Sequence, residues 1–300
     1  MTRYFVLLWL CLLCTARNVS ASETKLSFKG GSLETSLPDD MKSPSRDELL
    51  QWVRDAAGAV TTYYGRFPVD HATLEIRKGT HPGVHHGVTY PRGGGFIIIS
   101  VGEGTTVQQL HEDWTLTHEM IHLAFPAMAE EHHWIEEGIS TYVEPVARAM
   151  TGNMSVDEVW KQFASDMPKG QPADNDAGLD NTHTWGRTYW GGAMFCLIAD
   201  VRIREATHSQ HGLQDALRAI VKHDGTIAND WPIENALKVG DEGTGTTVLA
   251  DLYRTMKDKP SRMDLENLWK KLGVSVQNGN VTFDDRAPEA DIRKTITEKR

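Results

Sequence analysis

Apolar residues recur at helical spacing between residues 45 and 64, and they alternate with polar residues in shorter stretches further along. The first pattern predicts an amphipathic helix, and Ser45 followed by Glu48 is typical of a capped helix start. The alternation over residues 72–77 predicts a strand. A second strand is predicted over 96–101, where a run of apolar residues is bounded by glycines.

The ends and the second half of the chain show other patterns. Residues 22–43 are predicted to form strands and loops. Residues 168–184 are predicted to form a long polar loop of the kind that often forms a lid. Residues 281–283 are predicted to form a short strand before a charged, frayed end. Between them the periodicity is helical. Helices are predicted near 155–166, 185–208, 212–222, 229–239, 246–258 and 262–272.

The sequence His-Glu-Met-Ile-His at residues 118–122 is the strongest chemical signal. Histidines four apart on a helix lie on one face, so His118 and His122 can bind one metal ion. Glu119 cannot easily join them, but it can reach a water in an open coordination position and act as a general base. Residues 108–117 contain no Gly or Pro, so one helix is predicted to run through the motif and to stop near Pro126.

A catalytic zinc ion takes three protein ligands, so the motif needs one more. A second helix is predicted from residue 134 to about 150, and a carboxylate on it could supply that ligand. Glu137 is the preferred candidate and Glu136 the alternative, because the two side chains point about 100° apart. His132 and His133 lie between the helices and are rival ligands, although histidines in a polar loop are usually solvent-exposed.

These residues resemble the gluzincin clan of metallopeptidases. In that clan the third ligand is the glutamate before the glycine of a W-x-x-E-G element, which maps onto Glu137. The segment Tyr-Trp-Gly-Gly that begins at Tyr189 is similar to the Y-x-x-G segment of aminopeptidase N and glycyl aminopeptidase relatives. The likeness covers about residues 90–225 and implies one zinc ion per chain. It also implies that Tyr189 donates a hydrogen bond to the oxyanion of the tetrahedral intermediate.

The resemblance implies an α+β fold like that of thermolysin. Residues 22–150 would form a mixed α/β upper subdomain that carries the metal-binding helix, residues 151–278 a mainly helical lower subdomain, and 279–300 a tail. The last strand before the metal-binding helix would lie along the cleft, where an extended peptide could pair with it.

The sequence departs from the family in two places. Only 14 residues separate His122 from Glu137, fewer than in aminopeptidase N relatives. In place of the G-x-M-E-N loop, whose glutamate binds the substrate's free amine, residues 93–100 contain no acid. The resemblance therefore does not imply aminopeptidase specificity.

The first 21 residues predict a secretory signal peptide. Arg3 is followed by an apolar run at 4–14 and by the small-residue site Val-Ser-Ala at 19–21. The run is too short to span a bilayer comfortably, although an uncleaved anchor is the alternative. We therefore expect an exported protein, periplasmic or extracellular. Cleavage would leave Cys196 as the only cysteine, which excludes an intramolecular disulfide.

The formal net charge is −10 at pH 7. Such an acidic chain argues against nucleic acid or an anionic membrane as a partner, and no later segment is long and apolar enough for stable membrane insertion. A peptide or protein substrate is the expected partner, and the sequence does not indicate an oligomeric state.

Together these features predict an exported zinc-dependent peptidase. His118, His122 and Glu137 hold the metal, Glu119 moves the proton and Tyr189 stabilises the oxyanion. If Tyr189 only packs, His111, His133 or His183 are the next candidates for that donor. Two other interpretations stay open: a zinc hydrolase of non-peptide substrates, and a binding protein with a vestigial site.

Overall fold

The computed structural model of the protein describes residues 22–299. Five strands form one mixed sheet in the order β1-β2-β3-β5-β4, and two more form a hairpin. In the sheet β2, β3 and β5 run parallel, while β1 and β4 pair antiparallel at its edges. The strands are β1 Ser22–Phe28, β2 Gly31–Leu37, β3 His71–Gly79, β4 Val84–Tyr90, β5 Phe96–Gly102, β6 Val274–Gln277 and β7 Asn280–Phe283.

Helices make up most of the rest of the described chain. They are α1 Arg46–Tyr64, α2 Val107–Glu112, α3 Thr115–His122, α4 His133–Met150, α5 Val156–Asp166, α6 Gly192–Ala206, α7 Leu213–Lys222, α8 Ile233–Thr244, α9 Val248–Met256, α10 Leu265–Leu272 and α11 Ala290–Thr297. Short 3-10 turns lie at Arg92–Gly94, Glu130–His132 and Met167–Gly170, and a π-helical turn at Gly186–Gly191.

Helix α1 forms as its sequence predicts. Ser45 accepts a hydrogen bond from the backbone N–H of Glu48, whose side chain accepts from the backbone N–H of Ser45. The helix buries its apolar face, including Leu49, Val53 and Val60, and packs against α3 and α4.

The sheet and the helices together confirm the predicted mixture of strands and helices at the level of an α/β fold.

The strand next to the metal-binding helix is β4. The prediction that the last strand, β5, lies along the cleft is wrong, because β5 is paired on both sides. The edge strand β4, which packs against α3, was not predicted. Its glycine and its two histidines interrupt the alternation of apolar and polar residues that would indicate a strand. Its register with β5 shifts between Val84 and Gly87. Only pairing with β5 makes it a strand.

The predicted single helix through the motif is also wrong. Helix α2 ends at Glu112 and α3 begins at Thr115. The carboxylate of Asp113 accepts hydrogen bonds from the backbone N–H groups of Thr115 and Leu116, at 3.1 and 3.0 Å. A carboxylate that satisfies these unpaired donors favours a new helix start over a continuous helix. The motif therefore lies on a short helix of its own, which ends before Pro126.

Helices α4 and α6 approach each other closely at two glycines. A Cβ atom on Gly138 would lie 2.3 Å from the Cα of Gly192, so no larger residue fits there. Glu137 comes directly before the first of these glycines, and the turn that contains Tyr189 comes directly before the second. The close contact therefore brings the predicted third ligand and the predicted oxyanion donor into one region.

The polar loop predicted over 168–184 is fixed at Asp180. The carboxylate of Asp180 accepts hydrogen bonds from the Trp134 indole and the Tyr253 hydroxyl, both at 2.8 Å. The expected frayed end is wrong, since α11 packs against α4 and α6 and buries Ile292 and Ile296. These contacts join segments that are distant in sequence, which explains why local periodicity did not indicate them.

The predicted signal peptide at residues 1–21 lies outside the described residues. Within residues 22–299, no helix combines the length and the apolar character that crossing a membrane requires. Cys196 is buried in α6 and unpaired. The boundaries proposed at residues 150 and 278 stay predictions.

Candidate metal centre

His118, His122 and Glu137 converge on one point. Their ligand atoms all lie within 4.8 Å of one another. The Nε2 atom of His118 lies 3.0 Å from Oε2 of Glu137, and Nε2 of His122 lies 3.7 Å from Oε1 of the same carboxylate. His118 and Glu137 are only 3% and 6% exposed, so most of the cluster is buried.

The local sequence explains this arrangement. Met120 and Ile121 are fully buried on the core side of α3, which turns the two histidines towards α4. Their rings lie one helical turn apart, with centroids separated by 5.0 Å. The contact between α3 and α4 then brings Glu137 opposite both imidazoles.

Glu136, the alternative ligand, lies outside this cluster. Its carboxylate is 3.4 Å from Nδ1 of His133. His132 is also directed elsewhere, with its Nδ1 atom 3.1 Å from Asp180. His133 does reach the site, since its Nε2 atom lies 3.3 Å from Oε1 of Glu137. His133 therefore contacts the carboxylate but does not belong to the three-residue group.

The cluster has strong internal electrostatics. Burial alone would raise the pKa of Glu137, but the hydrogen bond with His118 and the charges of His122, His118 and His133 outweigh burial and lower that pKa to about 2. Burial lowers the pKa of His122 to about 4. A carboxylate that stays ionised beside an imidazole that stays neutral is the protonation state that metal ligation requires.

Glu119 lies against β4 and not among the three clustered residues. The hydroxyl of Thr89 donates a hydrogen bond to Oε2 of Glu119 at 2.7 Å. A Cβ atom on Gly87 would lie 2.7 Å from Cγ and 3.0 Å from Oε1 of Glu119, so no side chain fits between the strand and the carboxylate. Burial raises the pKa of Glu119, partly offset by the bond from Thr89. We refer to Gly87, Thr89 and Glu119 as the polar wall.

Tyr189 lies in the π-helical turn before α6, on the other side of His118. Its ring stacks on that of His118 with centroids 6.0 Å apart and planes at 16°. Burial, followed by the negative charge of the nearby Glu137 carboxylate, raises the pKa of Tyr189 well above its usual range. The phenol is therefore neutral and close to the cluster. Four rings on this side, Trp114, Trp185, Tyr189 and Trp190, form what we call the aromatic wall.

The other candidate donors are not part of the cluster. His111 and His183 are exposed, and the backbone carbonyl of His111 accepts a hydrogen bond from Arg148. His85 is exposed on β4, and its ring nitrogen lies 2.8 Å from the carbonyl of His81. His86, also on β4, is close enough to Glu119 to lower its pKa slightly.

Sequence reasoning missed two groups of residues at the site. Gly87 and Thr89 were overlooked because β4 was not recognised as a strand. Glu144 was also overlooked: it is buried, pairs with Arg148 at 2.7 Å, and borders the same pocket as His118. Burial raises the pKa of Glu144 to about 6. Its position seven residues after Glu137, two helical turns further on, was a signal that could have indicated it.

Comparison with solved structures shows a similar fold in peptidases. An aminopeptidase N family protein from Idiomarina loihiensis superimposes with a TM-score of 0.61 at 13% identity, over 85% of this chain and 50% of that one. An M1 zinc metallopeptidase from Deinococcus radiodurans, with a Tyr-Ser-Ala substrate bound, gives a TM-score of 0.52 at 12% identity, over 81% and 53%. The chain is similar in fold to M1 zinc metallopeptidases.

The likeness is structural and partial. The chain spans about half the length of these proteins. No protein-family model matches the sequence, and no curated protein matches it. At this level of identity the comparison shows the architecture alone.

The clustered residues fit a zinc ion. Two imidazole nitrogens and one carboxylate oxygen are a donor set of catalytic zinc sites, which keep one position open. The three side chains come together in a buried position where, among residues 22–299, no lysine or arginine pairs with Glu137. A buried carboxylate that faces imidazoles is well suited to share a cation with them.

Proposed function

We propose that this protein is a zinc-dependent peptidase in which His118, His122 and Glu137 hold one zinc ion. The observation that carries the proposal is the convergence of these three side chains within 4.8 Å, with the Glu119 carboxylate beside them. The similarity in fold to M1 zinc metallopeptidases supports it. When bound, zinc would act as a Lewis acid and lower the pKa of a water molecule towards ~7.

Glu119 would serve as the general base. Thr89 holds Oε2 of Glu119, which leaves Oε1 to accept a proton from the attacking water. Burial raises the pKa of Glu119 and brings it closer to the values that suit proton transfer near neutral pH. The same oxygen would then pass the proton to the nitrogen of the leaving amine.

Tyr189 would stabilise the negative charge that develops on the carbonyl oxygen of the scissile bond. Its raised pKa keeps the hydroxyl protonated at neutral pH, so the hydroxyl can donate a hydrogen bond. The stacking on His118 keeps the ring at the edge of the cluster. A donor fixed at the position where charge develops is the usual basis of oxyanion stabilisation.

The substrate would be a peptide in extended conformation. Strand β4 is an edge strand of the sheet, and it carries Gly87 and Thr89 beside Glu119. An extended peptide could add to this edge through backbone hydrogen bonds, which would bring its scissile bond next to the base. The Tyr-Ser-Ala substrate bound in the Deinococcus radiodurans metallopeptidase is consistent with such a ligand.

Substitution of adjacent glutamates tests this proposal. Glu137→Gln should reduce bound zinc well below one ion per chain and abolish peptide hydrolysis, because a neutral amide is a poor zinc ligand. Glu136→Gln is the matched control and should retain both, since Glu136 lies outside the cluster. Zinc content from elemental analysis and hydrolysis of a peptide mixture should be measured on the same samples. Equal zinc content in the two variants would contradict the proposed ligand set.

We also propose that the protein is exported, on the basis of the predicted signal peptide at residues 1–21. Cell fractionation followed by N-terminal sequencing would test this. Export predicts a mature protein outside the cytoplasm that begins close to residue 22. A cytoplasmic protein that retains Arg3 would contradict it.

A further inference from the structure

The aromatic wall forms a row of rings that begins beside the cluster. The Trp114 ring meets the His118 ring edge-on with centroids 5.3 Å apart, and His118 stacks on Tyr189. Tyr189 in turn stacks on Trp185 at 5.8 Å, with planes at 25°. Three residues of the aromatic wall and His118, from two segments of the chain, thus present a continuous aromatic surface.

The two ends of this row face solvent. Trp114 is 50% and Trp185 is 60% exposed, and they are the exposed tryptophans in the part of the chain that the structure describes. Large exposed aromatic rings at the rim of a pocket are unfavourable in water and are typical of ligand-binding surfaces. The same pocket is bordered by His118, so its occupant would lie next to the cluster.

The charged groups that border the pocket are all paired. The Lys169 ammonium lies 2.7 Å from the Asp166 carboxylate, and Glu144 pairs with Arg148. Lys169 also lies over the rings of Trp185 and Trp190, at 5.8 and 5.9 Å from their centroids. Among the described residues, the pocket therefore has several aromatic walls and no unpaired lysine, arginine, aspartate or glutamate.

We infer that this pocket binds an uncharged aromatic side chain of the peptide, on a residue adjacent to the scissile bond. The inference rests on the proposed peptidase function. An aromatic side chain would pack against the exposed tryptophan rings that border the pocket. A basic or acidic side chain would lose its hydration without gaining an unpaired counter-charge, and a small side chain would leave both tryptophans exposed.

Substrate profiling tests this directly. A peptide library that varies both residues flanking the scissile bond should show cleavage enriched for Phe, Tyr and Trp at one of the two positions. Trp185→Ala should lower kcat/KM for an aromatic peptide about tenfold to a hundredfold, the effect of losing one large apolar contact surface. Trp269→Ala is the control, because Trp269 is a half-buried tryptophan on α10 that does not border the pocket.

A binding measurement separates this inference from the proposed function. Calorimetric titration of the zinc-loaded Glu119→Gln protein requires no turnover, and it should give at least tenfold tighter binding for a Phe peptide than for the matched Ala peptide. That ratio should fall towards one in a protein that also carries Trp185→Ala. Cleavage or binding without preference for aromatic residues would overturn the pocket assignment and leave the peptidase proposal standing. Aromatic binding by a wild-type protein that cleaves no peptide would support the pocket and contradict the peptidase proposal.

Discussion

The two walls of the site differ in burial and in hydrogen bonding. On the polar wall, Glu119 is buried, is fixed by Thr89, and leaves no room for a side chain at Gly87. On the aromatic wall, Trp114 and Trp185 are largely exposed and are held by ring contacts. Preorganised groups suit proton transfer, whereas exposed rings suit recognition. Under the proposed function, the first wall would cleave the bond and the second would select the substrate.

This division makes the walls separable by experiment. Changes on the polar wall should lower kcat for every peptide by a similar factor. Changes to the exposed rings of the aromatic wall should alter the ranking of peptides. Tyr189 lies on the aromatic wall, but its hydroxyl is proposed to act in bond cleavage. It therefore tests whether the two walls have separate roles.

The largest effect is expected from Glu119→Gln. Removing the base should lower kcat by about 10²–10⁴, the usual contribution of general acid–base catalysis. Zinc content should stay near one ion per chain, because Glu119 is not in the three-residue cluster. Steady-state kinetics and elemental analysis check both expectations, with Glu112→Gln, an exposed glutamate on α2, as control. Loss of zinc from Glu119→Gln would mean that Glu119 is a ligand.

Tyr189→Phe should follow, with a decrease in kcat of about 10²–10³, the cost of one oxyanion donor. Phenylalanine keeps the ring stacked between His118 and Trp185 and removes only the hydroxyl. KM should therefore change little, since the lost hydrogen bond forms mainly in the transition state. A normal kcat in this variant would make Tyr189 a packing residue. The aromatic wall would then have no role in bond cleavage.

Gly87→Ala should have a smaller effect, a decrease in kcat of about tenfold to a hundredfold. The added Cβ would lie 2.7 Å from Cγ of Glu119 and 2.8 Å from Cγ2 of Thr115, so the carboxylate must shift, and small displacements of a catalytic group are costly. Gly58→Ala in α1 is the control, because a Cβ there meets nothing within 4 Å. Unchanged kcat in Gly87→Ala would show that the polar wall tolerates movement of its base.

The sequence predicted those parts of the molecule whose signals are local. The capped helix α1 follows from its own apolar spacing, and the paired histidines follow from a four-residue interval on α3. Strand β4 has no such signal, because pairing with β5 alone makes it a strand. The break between α2 and α3 depends on Asp113, whose preference for capping over helix continuation is decided by the surrounding packing.

The same distinction applies within the site. The sequence indicated a glutamate on the helix after the motif, but the choice of Glu137 over Glu136 depends on how α4 packs against α3 and α6. Thr89 lies 30 residues from Glu119, and no local pattern connects them. The resemblance to gluzincins indicated Tyr189 as a site residue. Residue spacing alone could not have predicted that Tyr189 lies next to His118.

The most direct test of the proposed zinc-dependent hydrolysis is a zinc titration of the metal-free protein, with peptide hydrolysis measured at each addition. We expect activity to be absent after chelation, to rise linearly with added zinc, and to level off at one zinc per chain, because one cluster of ligands holds one catalytic ion. Full hydrolysis by the metal-free protein, or no hydrolysis of any peptide once one zinc per chain is bound, would contradict the proposed function.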